Sequence, residues 1–522
     1  MTISTLYIKD LRRMQVSYNM VEKAVEKAEE TQRFDMFING EWVESSSGKY
    51  FKVIYPFDQR VVAEVAEASH DDVERAVRSA RQAFDDGDWS KMAASERSRM
   101  LWRLADLIES EAERLARLET LSNGKLYREM LGQLKVIPYY FRYFAGLADK
   151  ILGDAKYLPD KPNVLNYTIR EPYGVVAIIV PWNSPILLTT FSLAPALACG
   201  NTVIVKPSKN APLGVLALGE LFQKAGFPPG VFNVVTGPGQ VGGMLAGNPG
   251  VDKVCFTGGT DTGVEVAKTA AVNLTKYVLE LGGKSPQIVF EDCDVDTAIS
   301  GVVSGIVAAT GQTCVAGSRL LVQKGLYEEF LARLRSVFEK IRLGDPMDPQ
   351  TQMGPAATKD QLEKILYYIE TGKREGARLV YGGERPRDPA LSEGFFILPT
   401  IFADVNPDMT IWREEIFGPV LAATSFETEE QAIKLANSVE YGLAAGIWTR
   451  DIYKAHRVAR KIQAGTVWIN MYRSLSYASP FGGFKKSGVG RELGLEVIHE
   501  FTQLKSIWVE LTGQKRDPFI LG

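Results

Sequence analysis

Histidine and cysteine are scarce in this chain of 522 residues, with three of the first and four of the second. His70, His456 and His499 are far apart, none stands at metal-ligand spacing, and no Cys-x-x-Cys occurs, so no metal site is expected. Four cysteines do not make a disulfide framework, which points to a reducing compartment, and the expected location is cytoplasmic. No G-x-S-x-G elbow is present, which removes the usual serine-hydrolase arrangement. Long apolar runs are also missing. The most apolar stretch, "VVAIIVPWNSPILLTTF", is interrupted by Pro181, Asn183 and Pro185, and falls short of the ~20 residues a bilayer requires. The first residues, "MTISTLYIKDLRRMQ", lack a basic start followed by an apolar core, so no secretory signal is read there. Net charge is only −3, which gives no electrostatic case for nucleic acid. Internal repeats and low-complexity tracts are absent.

What remains is an ordinary globular composition, 45% hydrophobic and 24% charged, long enough for two to four domains and a sizeable core. Residues 1–34 are charged and helical in pattern, and are read as an N-terminal extension. "DDVERAVRSARQAF" sets Val73, Ala76, Val77, Ala80 and Phe84 on one helix face; "RSRMLWRLADLIESEAERLARLE" does so with Leu101, Leu104, Ile108, Ala112 and Leu115. From Gly174 to Val289, short β-branched runs ("VVAIIV", "NTVIVK", "VFNVVT", "DKVCF", "YVLEL", "SPQIVF") alternate with helical segments, the pattern of βαβ units and a parallel sheet. A second α/β stretch follows, from about Ala298 to Val489. "KYLPDKPNVLNYTIREP" and "FTQLKSIWVEL" read as strand excursions, able to pair with each other or with another subunit.

Several stretches carry chemistry. "GPGQVG" (Gly237–Gly242) follows a strand and matches a dinucleotide fingerprint or a plain glycine turn. "FTGGTDTG" opens a helix, where backbone N–H groups and the helix dipole favour a phosphate. Lys206 and Lys209 end a strand, as solvated loop lysines or as contacts to ribose and phosphate. Glu280, in "LELGGKSP", is either a carboxylate hydrogen-bonded to backbone or a buried base with a raised pKa. Among the cysteines, Cys199 and Cys255 read as core, and Cys293 lies between acids that blunt it. Cys314, in "GQTCVAGSR", is bounded by glycines that permit close approach; it is packing or a nucleophile.

Taken together, "PWNSP", "KPSKNAP", "GFPPGVFNVV", "FTGGTDTG", "LELGGKSP", "GQTCVAGSR", "EEIFGPV" and "SPFGGFKKSGVGRELG" resemble, in order, the aldehyde dehydrogenase superfamily of the NAD(P)-dependent, hydrolytic kind. The resemblance runs from about Phe37 to Leu511. It implies an α/β fold with a Rossmann-like, parallel-sheet cofactor domain (35–152 and 173–282), an α/β catalytic domain (283–488) and a small β oligomerisation element (153–172 and 500–512), in a homodimer or homotetramer. It implies Cys314 as nucleophile, Glu280 as general base, Asn183 as oxyanion donor and Glu492 as a second carboxylate of a water or proton relay. Around NAD or NADP it implies Pro181, Trp182, Lys206, Ser208, Lys209, Gly239, Gly242, Phe256, Thr257, Gly258, Gly259, Gly263, Leu281, Glu415 and Phe417. Lining the aldehyde tunnel it implies Ser184, Leu188, Phe191, Thr313, Val315, Leu475 and Phe481, with Arg473 near the mouth, as a solvated arginine or as an anchor for a substrate carboxylate.

Two departures stand out. Many NAD-preferring members carry glutamate where Lys209 stands, so tolerance of or preference for NADP is expected here. Gly259 stands where a serine or another small residue often follows the first glycine. The alternatives are a CoA-acylating semialdehyde dehydrogenase, against which Glu280 argues, and a non-catalytic binding paralogue, against which Cys314, Asn183 and Glu280 together argue.

Overall fold

The computed structural model describes residues 32–515 and 517–519. The extension read over 1–34 lies outside these residues except at its end. There Gln32–Phe34 are not helical: they form a strand parallel to Val61–Ala66, which pairs on its other side with Tyr50–Ile54. The helix expected after it is His70–Asp85, started by a capping box in which Ser69 and Asp72 satisfy each other's backbone N–H groups. Val73, Ala76, Val77 and Ala80 are buried as the periodicity requires, and Phe84 is half-buried. The next amphipathic run is broken into Ala94–Ser110 and Ala112–Asn123. Glu111 leaves helical geometry there, and its side chain turns to Arg114 at 2.6 Å.

The first large sheet has eight strands, in the order Gly488–Val489, Lys276–Glu280, Lys253–Thr257, Val175–Val180, Thr202–Pro207, Phe232–Val234, Met36–Ile38 and Glu41–Val43. Its five central strands are parallel. All six residues of Val175–Val180 are buried, because helices cover both faces of this middle strand. From it the chain steps outward through Thr202–Pro207 and Phe232–Val234, then returns to its other side for Lys253–Thr257 and Lys276–Glu280. That reversal is the switch point where open α/β sheets bind ligands, at the carboxyl ends of the strands. Helix Pro185–Ala198, which leaves the middle strand, is buried at every residue but Leu187 and packs against the long helix Tyr127–Leu147.

The second sheet has seven strands, in the order Arg378–Tyr381, Thr400–Ala403, Val420–Phe426, Arg319–Gln323, Pro286–Val289, Ala444–Trp448 and Thr466–Ile469. Here the reading of one continuous stretch from Gly174 to Val289 is corrected. Pro286–Val289 pairs with Arg319–Gln323 and Ala444–Trp448, so the chain passes between sheets across Gly282–Ser285. The two glycines let it cross closely: a Cβ on Gly283 would lie 2.4 Å from the Cys314 carbonyl oxygen.

After the second sheet the chain returns. Gly488–Val489 adds antiparallel to Leu279–Glu280 as an edge of the first sheet. Thr502–Glu510 then pairs antiparallel with Val164–Pro172 from end to end, and Ala155–Lys156 flanks the latter. Of the two pairings open to these excursions, the intramolecular one is present. No helix among the described residues is long and apolar enough to cross a membrane.

Candidate functional site

Two cavities flank the crossing between the sheets. The first, about 480 Å³, lies at the carboxyl ends of the central strands. Of the residues expected at the cofactor, Pro181, Lys206, Ser208, Lys209, Gly239, Gly242, Phe256, Thr257 and Gly258 line it. Lys206 is buried, and burial together with the neighbouring Lys209 pushes its ammonium down to about 8. Gly259 caps helix Thr260–Val272, whose N-terminus faces this cavity through Thr262, Glu265 and Val266. Gly263 does not line it but packs on Leu281, where a Cβ would come within 2.4 Å of the leucine methyl. Trp182, Leu281, Glu415 and Phe417 also lie outside the lining. The Trp182 and Phe417 rings meet edge to face at 5.5 Å, and Glu415 Oε1 accepts from the Gly283 N–H at 2.8 Å. A glycine-walled cavity with a helix N-terminus and two lysines fits a dinucleotide: Gly239 and Gly243 have nothing within 4 Å of where a Cβ would stand.

The second cavity, about 490 Å³, contains Cys314 and Asn183 together with all eight residues expected at the substrate: Ser184, Leu188, Phe191, Thr313, Val315, Arg473, Leu475 and Phe481. Sequence reasoning missed Lys125, Glu129, Gln133, Val136, Tyr140 and Tyr472, which also line it. Glu129, Gln133, Val136 and Tyr140 share one face of helix Tyr127–Leu147 at i, i+4, i+7 and i+11, a spacing that signals a helix face but not what the face meets.

Cys314 follows a tight turn, Ala308–Gly311, in which Ala309 and Thr310 take left-handed φ values of 55° and 57°. Such strain persists only where neighbours hold it. The Thr310 hydroxyl donates to the Gly354 carbonyl at 2.9 Å, the Gln312 amide donates to Ala309 O, and Gln312 Oε1 accepts from the Ala357 N–H at 2.8 Å. Asn183 Nδ2 donates to the Gln312 carbonyl at 3.1 Å, so the amide sits one residue away from the Cys314 peptide pair. Of the four cysteines Cys314 alone is partly accessible. Burial, then Glu280 and Glu415, push its thiol up to about 12, opposed by the Val315 and Cys314 N–H groups. Cys293 is pushed up to about 11 by burial and by Asp292 and Asp294, its flanking acids.

Glu280 ends its strand with both carboxylate oxygens buried and without a partner among the described residues. The alternative of a backbone-bound carboxylate is therefore set aside. Burial, and secondly the charge of Glu492, push it well above the usual carboxylate range, against a smaller pull from Arg491. Glu492 is itself buried and pushed up to about 7; its Oε1 accepts from the Ser192 hydroxyl at 3.0 Å and its Oε2 has no partner. Its backbone bridges Phe481 in both directions, at 2.7 and 2.8 Å, which ties the carboxyl pair to the wall of the second cavity. Among the described residues no cluster of His, Cys, Asp and Glu is arranged to hold a metal.

This arrangement can present a thiol and an amide donor to a small electrophile beside a dinucleotide-shaped cleft, while the uncompensated Glu280 carboxyl is buried outside both linings. The chain is similar to known proteins over nearly its whole length. A family model described as the aldehyde dehydrogenase family matches residues 42–507. Betaine aldehyde dehydrogenase of Bacillus subtilis is 43% identical over 476 residues, 91% of this chain and 96% of that protein. Aldehyde dehydrogenase 1A1 of Ovis aries is 46% identical over 485 residues, 91% of this chain and 95% of that one. A crystal structure of betaine aldehyde dehydrogenase from Staphylococcus aureus in complex with NAD+ superposes with a TM-score of 0.93 at 41% identity, covering 96% of this chain and all of that one. With sequence and fold in agreement over nearly the whole length, the chain belongs to the aldehyde dehydrogenase family, oxidoreductases acting on the aldehyde group.

Proposed function

We propose that this enzyme oxidises an aldehyde to the carboxylic acid with a nicotinamide dinucleotide, through a covalent intermediate on Cys314. One observation carries the reading: the accessible thiol and the Asn183 amide share one cavity, while a buried, unpartnered Glu280 stands close enough to raise that thiol. Bound along Lys206, Ser208, Gly242 and Gly258, the dinucleotide supplies the hydride acceptor. The Cys314 sulfur adds to the aldehyde carbon, and its proton leaves to a base. The oxyanion accepts from the Asn183 amide and the Cys314 N–H, donors worth about 10²–10³ in rate each. Loss of hydride from the carbon leaves a thioester. Glu280 takes a proton from water, whose oxygen adds to the thioester carbon; the carbon–sulfur bond breaks and the acid departs. Glu492 holds the second buried carboxyl of the relay.

NAD use is supported by the NAD+ complex of the similar enzyme; acceptance of NADP is proposed from Lys209, beside Lys206 in the cavity. Self-association is proposed from the apolar side chains exposed on strand Thr502–Glu510 (Leu504, Trp508) and around helix Thr260–Val272 (Val264, Val272, Leu274). The unpaired cysteines suit the reducing cytoplasm.

Rapid-mixing kinetics test the chemistry. Glu280→Gln is expected to release a burst of about one NAD(P)H per site, followed by a steady state reduced by orders of magnitude, because hydride transfer precedes hydrolysis. Cys314→Ala is expected to give neither phase. Wild-type turnover by either variant refutes the assignment.

A further inference from the structure

The second cavity is not uniformly apolar. Besides Tyr140, Leu188, Phe191 and Phe481, its lining includes Lys125, Glu129 and Arg473, charged groups that oxidation of a hydrocarbon aldehyde does not require. Its charges do not cancel. The single Ala309 N–H donates to both Glu129 oxygens, at 3.1 and 3.2 Å, and this one carboxylate stands against two cations. Lys125 is 3% exposed, and its ammonium donates to the Ser184 hydroxyl at 2.8 Å. Arg473 spends one N–H on the Ser304 carbonyl at 3.0 Å. Neither cation forms an ion pair within hydrogen-bonding distance among the described residues. Burial, with a smaller push from Arg473, brings the Lys125 ammonium down to about 8, against the pull of Glu129 and Glu119.

The backbone aims Arg473 at this space. Its φ is 60°, left-handed and strained for a residue with a side chain. The residues on both sides are pinned: the Tyr472 hydroxyl donates to the Val315 carbonyl at 2.9 Å, and Trp468 Nε1 donates to the Ser474 carbonyl at 2.9 Å. A loop arginine with no such duty turns to solvent. This one is half-buried and lines the cavity that holds Cys314.

Building on the aldehyde oxidation proposed above, we infer that the substrate is an aldehyde acid, whose carboxylate is held by the free edge of the Arg473 guanidinium while its aldehyde end reaches Cys314. A planar guanidinium matches a carboxylate in two parallel hydrogen bonds, which a neutral chain end does not replace. Lys125, held by the Ser184 hydroxyl in the same lining, adds positive potential. The apolar wall then receives the methylene chain between the two ends.

Two measurements test this. In the first, kcat/KM is compared for four- and five-carbon ω-carboxyl aldehydes and for unsubstituted aldehydes of the same length. Wild type is expected to favour the carboxyl compounds at least tenfold. Arg473→Met is expected to lower that ratio ten- to a hundredfold, and Arg473→Lys to keep part of it. A wild type without preference, or a ratio unchanged in Arg473→Met, overturns the inference while leaving aldehyde oxidation standing. In the second, glutarate, the dicarboxylate product analogue, is titrated calorimetrically against Cys314→Ala with and without Arg473→Met. The second substitution is expected to weaken binding at least tenfold, and equal affinity overturns the inference. This readout needs no turnover, so failure of the oxidation chemistry and failure of the anchor are separately visible.

Discussion

Gly283→Ala isolates what the inter-sheet crossing does for the thiol. A Cβ on Gly283 would fall 2.4 Å from the Cys314 carbonyl oxygen and 3.3 Å from Leu443 Cβ. A carbon and a carbonyl oxygen settle at about 3.3 Å or more, so the two backbones must part by close to 1 Å. Gly283 is held on its other side, its N–H bonded to Glu415 at 2.8 Å, and strand Pro286–Val289 begins three residues later. The turn before Cys314, already strained at Ala309 and Thr310, is the softer partner and takes most of the shift. Overpacking of this kind costs about 1–3 kcal/mol in stability. Displacing a reacting group by about 1 Å lowers rates by about 10². The variant is therefore expected to melt a few degrees lower and to lose about two orders of magnitude in kcat at saturating aldehyde and cofactor. Gly146→Ala serves as control: it lies in helix Tyr127–Leu147, nothing stands within 4 Å of its added Cβ, and it should be neutral or stabilising by about 0.5–1 kcal/mol. A Gly283→Ala enzyme with wild-type kcat and melting temperature would refute the claim that this glycine sets the position of Cys314.

Glu492→Gln removes a negative charge that raises Glu280, so Glu280 should deprotonate at lower pH and the acidic limb of the kcat–pH profile should move to lower pH; a limb that stays or moves up contradicts the coupling. Lys209→Glu should shift the NAD/NADP ratio of kcat/KM at least tenfold toward NAD, since it reverses a charge lining the first cavity, and an unchanged ratio in paired assays sinks the NADP reading.

Short-range signals in the sequence were dependable where one residue's neighbours decide its fate. Helix His70–Asp85 shows this, its capping box and apolar stripe both local, and so in part does Cys293, raised first by burial and then by the flanking acids the local string displays. Cys314 and the eight residues around it were legible only through the resemblance, because nothing in "GQTCVAGSR" alone separates a nucleophile from packing. Features made by distant partners stayed hidden. By pattern "SPQIVF" looks like the strands before it; the resemblance implies a boundary ahead of it, at 282/283, and pairing across the chain places it in the second sheet. The break at Glu111 depends on one residue leaving helical geometry within a pattern that continues through it. Lys125 and Glu129 carry no signal in the local string; their contacts to Ser184 and Ala309 come from segments that meet in space and not in sequence.

The return of the chain has a consequence for how the enzyme is made. Glu280 is flanked by Gly488, and Val164–Pro172 waits for Thr502–Glu510, partners separated by hundreds of residues. Loop closure over such distances comes late. On a ribosome Cys314, Asn183 and the central strands of the first sheet are all synthesised before Gly488–Val489, which pairs with the end of the Glu280 strand, and before Glu492. A chain terminated ahead of these residues carries the Cys314 thiol without the second buried carboxyl that acts on Glu280.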